Sequence, residues 1–279
     1  MSFRGVVGTA LSLLTFAVVA WLLLVGLLML QERRLIFFPT TVLTALPADF
    51  GLHAQELSIT AADGVRLHGW WIQGPGDRVL IWYHGNAGNI GHRLDNARWF
   101  VDQLGFDVVL VDYRGYGRSE GAPDEEGVCL DGLAIYDAVA ARSVRAEDIV
   151  LFGRSLGGAV AIEVALHRPV GALALESPFR SVPALAREHY WFVPSFLVRT
   201  RMDNESKIGS VDVPTLILHG DRDEVVPATH GRRLFELAAR PARFHLISGA
   251  GHNDTYLVGG SPYRDAWTAF LRETASAAG

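Results

Sequence analysis

The chain has 279 residues, 49% of them hydrophobic and 20% charged, enough for one large domain or two small ones with a sizeable core. Its 25 Lys and Arg against 30 Asp and Glu leave a net charge of -5, and no basic cluster stands out, so no nucleic-acid partner is expected. The single cysteine, Cys129, excludes an internal disulfide, and zinc spacings, phosphate-cradling glycine loops and repeats are all missing, so neither a metal nor an organic cofactor is expected.

The first element is a run without charge between Arg4 and Glu32, almost wholly apolar from Val6 to Leu30. As a helix it reaches about 37 Å, enough to cross a hydrocarbon core of about 30 Å with some tilt. A cleaved signal peptide would have a shorter apolar region ending at a small-x-small site, which "AVVAW" around Ala20 matches poorly, so residues 1–30 are read as a tail and an uncleaved membrane anchor. Arg33 and Arg34 after the run, against Arg4 and the α-amine before it, favour a cytoplasmic catalytic side. Residues 31–50 are read as a juxtamembrane segment, whose "LIFFP" either lies in the headgroup region or packs on the domain's underside. The folded domain is then expected over 51–279, and a chain starting near residue 45 is expected to stand alone.

Downstream, "QELSIT" and "VRLHGWWI" flank "AADG", an Asp-Gly hairpin signal. Six further strands are predicted at "RVLIWYH", "DVVLVDY", "DIVLFG", "ALALE", "PTLILH" and "RFHLI", several apolar on successive residues, as strands buried on both faces of a parallel sheet are. Between them Ile90, Leu94, Ala97, Val101 and Leu104 recur at helical spacing, as do Val128, Ala134, Ile135 and Ala138 in part. A hairpin followed by alternating strands and helices predicts an α/β fold with an open, mostly parallel eight-stranded sheet and helices on both faces. Chemistry in such sheets collects at the carboxyl ends of strands, where "HGNAGN", "DYRGYGRSEG", "GRSLGG", "HGDRDEVVP" and "SGAGHNDT" all fall.

In "VLFGRSLGG" a serine sits between Gly153 and Gly157. Ser155 either caps the next helix or is the nucleophile of an elbow, a strand-to-helix turn so tight that its hydroxyl stands clear of the sheet. A serine nucleophile needs a base, and the base an orienting carboxylate, in the chain order Ser, acid, His for this kind of sheet. His252 in "GAGHNDT" is the natural base, and "HGDRDEVVP" offers Asp221, Asp223 and Glu224 as acids.

"HGNAGNIGHR", "VDYRGYGRSEG", "FGRSLGGAVAI" and "GAGHNDT", in that order over about residues 55–275, resemble the α/β-hydrolases, and within them a branch of small membrane-anchored serine hydrolases related to the protein depalmitoylases. The resemblance implies the α/β-hydrolase fold, an acyl-enzyme on Ser155, Asp223 as the acid with Glu176 as an outside alternative, and Asn86 as one backbone oxyanion donor. The N–H of Leu156, just after the nucleophile, is expected to be the other. Asp221 is read as a loop cap. Asp112, Arg114 and Arg118 are read as entrance-lining or internally paired residues, and Arg154 as a partner of Glu176.

The insertion 177–213 is read as a short cap. Its Trp191, Phe192 and Phe196 are either ordinary packing or an apolar wall for an acyl or lipid-like ester. The function expected is cleavage of carboxylic esters or thioesters. The rivals are a serine peptidase of prolyl-oligopeptidase type and a catalytically silent interaction module on the same fold.

Overall fold

The computed structural model describes residues 3–239 and 241–277. Helix α1 (Phe3–Leu30) is apolar all round, and its side chains are exposed along most of its length. Val7–Leu30 is long and apolar enough to cross a membrane. Helix α2 (Glu32–Ile36) follows after a one-residue break.

The sheet contains β1 (Ala54–Thr60), β2 (Arg66–Ile72), β3 (Val79–Tyr83), β4 (Asp107–Val111), β5 (Ile149–Arg154), β6 (Ala172–Glu176), β7 (Thr215–Gly220) and β8 (Ala242–Ile247). The spatial order is β1-β2-β4-β3-β5-β6-β7-β8. β1 and β2 form the expected hairpin, Thr60 opposite Arg66, closed by Gly64 at φ 87°. β2 runs antiparallel to β4, and every pair from β4 to β8 is parallel. β3, β5, β6 and β7 are buried at every position, which is why their sequences are apolar without alternation.

Helices α3 (Leu94–Leu104), α4 (Glu125–Ala140), α5 (Leu156–His167), α6 (Val182–His189), α7 (Asn204–Lys207), α8 (Ala228–Leu237) and α9 (Thr255–Ala277) complete the fold. Leu94 and Phe100 of α3 with Trp267 and Phe270 of α9 pack on one face of the sheet. Val128 and Ile135 of α4, Val160 of α5 and Leu234 of α8 pack on the other. Local signals set the ends: Asp124 accepts the Gly127 N–H at the start of α4, Gly105 ends α3 at φ 74°, and α9 breaks at Gly260, two residues before Pro262.

Part of residues 37–50 packs on the sheet domain. Phe37 is 4% exposed in the larger core cluster. Phe38–Pro39 forms a two-residue parallel ladder with Ala87–Gly88. The buried Asn89 amide donates to the carbonyls of Thr40 (3.0 Å) and Val42 (2.7 Å). The apolar character of "LIFFP" is therefore partly core, because Phe37 is buried and Ile36 packs against the same cluster while Phe38 is half exposed.

Between β6 and β7 the insertion carries α6, a short 3-10 turn at Ser195–Leu197, and α7. Two carboxylates clamp its return path. Glu32 accepts the N–H groups of Arg199 and Thr200, and Glu125 those of Arg201 and Met202. Helix α1 is tied to it as well, since Trp21 Nε1 donates to the Phe192 carbonyl at 3.0 Å.

Candidate active site

β5 ends at Arg154, and the next residue carries unusual backbone angles: Ser155 has φ 51° and ψ -117° and leads straight into α5. A non-glycine residue at positive φ costs about 1–3 kcal/mol, held here by the packing around it. The flanking glycines are a steric need. A Cβ on Gly153 would lie 2.5 Å from the Gly157 carbonyl oxygen, and one on Gly157 would lie 1.9 Å from that of Tyr83. The Ser155 side chain makes no capping hydrogen bond to α5, so capping does not account for it. Its Oγ instead lies 3.0 Å from His252 Nε2.

His252 sits in the loop after β8, shaped by Asp254 Oδ1 on the Gly251 N–H and by Asp221 Oδ1 on the Gly249 N–H, each at 2.7 Å. Its Nδ1 lies 2.7 Å from Asp223 Oδ2. The other Asp223 oxygen accepts the N–H groups of Val225 and Val226. Burial works against the charge of Asp223, but the hydrogen bonds of His219, His252 and the Val226 N–H outweigh it and hold the carboxyl well below the usual carboxylate range. A carboxylate that stays ionised and fixed on Nδ1 leaves Nε2 free to take a proton from the hydroxyl beside it.

The structure thus brings Ser155, His252 and Asp223 together and keeps the other acids apart. Asp221 braces the histidine loop. Glu176, fully buried at the end of β6, accepts from Thr255 Oγ1 and Tyr263 Oη (2.7 Å each) and faces Arg154 Nε at 3.3 Å. Arg154 Nη2 in turn donates to the His252 carbonyl at 3.0 Å. This buried cluster couples the serine turn to the histidine loop. The Arg154–Glu176 pair was legible in the sequence, whereas Thr255 and Tyr263 were not, because they lie some 80 residues further along the chain.

The "HGNAGN" loop lies against the serine, since a Cβ on Gly85 would be 3.6 Å from Ser155 Cβ. Asn86 turns its other polar groups into the protein. Its side chain donates to the Ile36 carbonyl, and its own carbonyl accepts from the Phe38 N–H and from Tyr116 Oη. Leu156, as the first residue of α5, has an N–H that no preceding helical carbonyl reaches. Beneath the loop, His84 and Asp112 are both fully buried, 3.6 Å apart. Burial pushes His84 down to about 3 and Asp112 up to about 7, although the Ile90 N–H and the Arg93 charge oppose the rise of Asp112.

Arg114 binds Asp131 and Asp63, and Arg118 reaches Glu56, so both of these arginines hold ion pairs within the domain. The Cys129 thiol is pushed up to about 12 by burial.

A groove of about 540 Å³ adjoins the site, with Asn86 and Val225 in its lining. Trp191, Phe192 and Phe196 are not in its walls. Trp191 and Phe196 are 82% and 80% exposed, and Phe192 is half-buried beside α1. The apolar wall comes from Leu185 and Ala186 of α6, Ile36 of α2, and Leu28 and Met29 at the end of α1. Within the insertion the wall comes from the inward positions of α6 together with Tyr190, Val193 and Val198, while Trp191 and Phe196 project away.

The strand order and the strained serine after β5 define the α/β-hydrolase class. Comparison with known proteins gives the same assignment. The family described as serine aminopeptidase, S33, a hydrolase family, matches residues 74–207. An uncharacterized protein of Mycobacterium tuberculosis is 39% identical over 88% of this chain and 89% of its own. The α/β hydrolase domain-containing protein WAV2 of Arabidopsis thaliana is 34% identical over 90% and 91%, and bem46 of Schizosaccharomyces pombe 32% over 81% and 79%. Among solved structures, an esterase of Pyrococcus furiosus superposes with a TM-score of 0.72 at 21% identity, covering 85% of this chain and 98% of that one. An esterase of Exiguobacterium antarcticum gives 0.61 at 20%, covering 78% and 100%. The chain belongs to the α/β-hydrolase family and is a hydrolase.

Proposed function

We propose that the protein is a membrane-anchored serine hydrolase that cleaves carboxylic esters or thioesters through an acyl-enzyme on Ser155. The observation that carries this reading is the continuous relay from Ser155 Oγ to His252 Nε2 (3.0 Å) and from His252 Nδ1 to Asp223 Oδ2 (2.7 Å) on a strained turn. His252 takes the hydroxyl proton as Oγ attacks the acyl carbon, and Asp223 stabilises the imidazolium. The N–H groups of Asn86 and Leu156 receive the oxyanion, a donor pair whose members are each worth about 2.7–4 kcal/mol in analogous sites. His252 then returns the proton to the leaving oxygen or sulfur, and water releases the acyl group by the same route. Residues 51–279 with the packed segment 37–50 form the hydrolase unit, and 177–213 forms its cap.

Val7–Leu30 is the anchor. The hydrogen bond from Trp21 to the insertion and the burial of Val25 favour a helix retained in the mature protein over a cleaved signal. The catalytic domain is assigned to the cytoplasmic side on the arginines that follow the span.

The aminopeptidase in the family's description keeps a second reading open. A free substrate amine needs carboxylates near the serine, and Glu224 lines the groove. Turnover of p-nitrophenyl acyl esters against aminoacyl p-nitroanilides separates the two. The ester reading expects the first set to be cleaved faster by orders of magnitude, with loss in Ser155→Ala and a larger loss in Asp223→Asn than in Asp221→Asn or Glu176→Gln. Faster anilide cleavage would favour the peptidase, and no turnover of either would favour the silent module.

A further inference from the structure

The apolar groove has an unusual composition: part of its wall is the apolar helix itself. It runs from Asn86, which follows the Gly85 that lies against Ser155, past Leu185 and Ala186 of α6, to Ile36 of α2 and to Leu28 and Met29 of α1. Those last two residues belong to the run Val7–Leu30, so the end of the groove away from Asn86 merges with the surface that faces hydrocarbon when α1 spans a bilayer. The depth of the neighbouring insertion can be read from the same helix. Trp21, hydrogen-bonded to the Phe192 carbonyl, lies nine residues before Leu30, or about 13 Å further along the axis. The tip of the insertion therefore stands beside the span well within its apolar length. There it exposes Trp191 and Phe196, large apolar side chains suited to the acyl layer at that depth. Glu32, holding the Arg199 and Thr200 N–H groups, fixes the return strand of the insertion to α2, so groove and tip share one frame.

We infer that this groove is the acyl-chain site of a membrane-resident lipid-like ester, that the end of α1 is one of its walls, and that the chain enters it sideways from the leaflet beside Trp191 and Phe196. The inference rests on Ser155 being the nucleophile. An acyl chain laid from Asn86 towards Met29 keeps its apolar length against Leu185, Ala186 and Leu28 and brings its carbonyl to Ser155. Each CH₂ that passes from water into such a groove adds to binding. For an ester already in the bilayer that gain is small, so the groove selects by shape and by local concentration.

The test uses the full chain in phosphatidylcholine nanodiscs and two probes, ethyl and hexadecyl fluorophosphonate, each of which loses fluoride as its phosphorus bonds Ser155 Oγ. The measured quantity is the ratio of hexadecyl to ethyl labelling rates. Ala186→Trp fills the groove from the insertion and Leu28→Trp fills it from the helix, and each is expected to lower the ratio at least tenfold. Trp191→Ala with Phe196→Ala, outside the groove, is expected to lower it at least threefold by weakening contact with the leaflet. Measurable ethyl labelling in each variant shows that it is folded. An unchanged ratio in either the groove variants or the tip variant overturns the inference while leaving the nucleophile in place. Failure of both probes on the wild type overturns the Ser155 reading and the inference with it.

Discussion

Removal of the segment ahead of β1 tests where the folded domain begins. The sequence reading places that start at residue 51, whereas in the structure Phe37 is 4% exposed within the core and Asn89 relies on the Thr40 and Val42 carbonyls. Deleting a buried phenylalanine side chain costs about 3–5 kcal/mol. Leaving a buried amide without its acceptors costs about 1–3 kcal/mol more. A chain beginning at residue 46 therefore loses about 4–8 kcal/mol, a large part of the about 5–15 kcal/mol that holds a typical domain together. A chain beginning at residue 31 keeps all of these contacts. Urea unfolding followed by tryptophan fluorescence is expected to give a cooperative transition for the longer chain and a much lower midpoint, or none, for the shorter. Phe37→Ala in the longer chain should fall between them. Because the same residues hold the "HGNAGN" loop, activity on a short ester should fall along with stability. Equal midpoints for the two chains would refute the argument and leave residue 51 as the start of the folded domain.

Three further outcomes follow from buried contacts. Glu176→Ala strands Arg154 in the core and should cost about 3–5 kcal/mol by denaturant titration, with Glu176→Gln milder because it keeps acceptors for Thr255 and Tyr263. Gly157→Ala drives a methyl group into the Tyr83 carbonyl and should destabilise by about 3 kcal/mol or more; soluble, active protein of normal stability would show that the turn is looser than described. Asp112 binds its proton more tightly folded, at about 7, than unfolded, near the ordinary carboxylate value, so its ionisation opposes folding increasingly as pH rises through that window. Asp112→Asn should flatten the decline in stability between about pH 4 and pH 7, worth up to about 4 kcal/mol at 1.36 kcal/mol per unit, and an unaltered pH profile would contradict the assignment.

The fold was legible because its evidence is local. Fully buried strands such as "VLIWY" and "ALALE" write their burial directly into sequence, and an Asp-Gly turn marks the hairpin. Ser155 and His252 could be named because the chain order and the loops after β5 and β8 restrict the choice, whereas Asp223 was singled out from Asp221 and Glu224 only by the resemblance to the α/β-hydrolases; the structure brings the three side chains within hydrogen-bonding reach. The insertion was less legible. An irregular segment has no period from which to tell an inward aromatic from an outward one, so the exposed Trp191 and Phe196 could not be separated from Tyr190, which lines the groove. Phe37 and Phe38 are adjacent and chemically alike, yet one is core and one is half exposed, a difference set by the ladder with Ala87–Gly88. Glu32 gave a faint signal as the first acidic residue after a long apolar run, but its partners Arg199 and Thr200 are contacts of folded space alone.

The most direct measurement is capture of the intermediate. Wild-type protein mixed with excess p-nitrophenyl ester, quenched in acid within milliseconds and digested, is expected to show a burst of nitrophenol and one acyl group on the peptide that begins at Ser155, both absent in Ser155→Ala. An acyl adduct on another residue, or undiminished turnover in Ser155→Ala, would contradict the account.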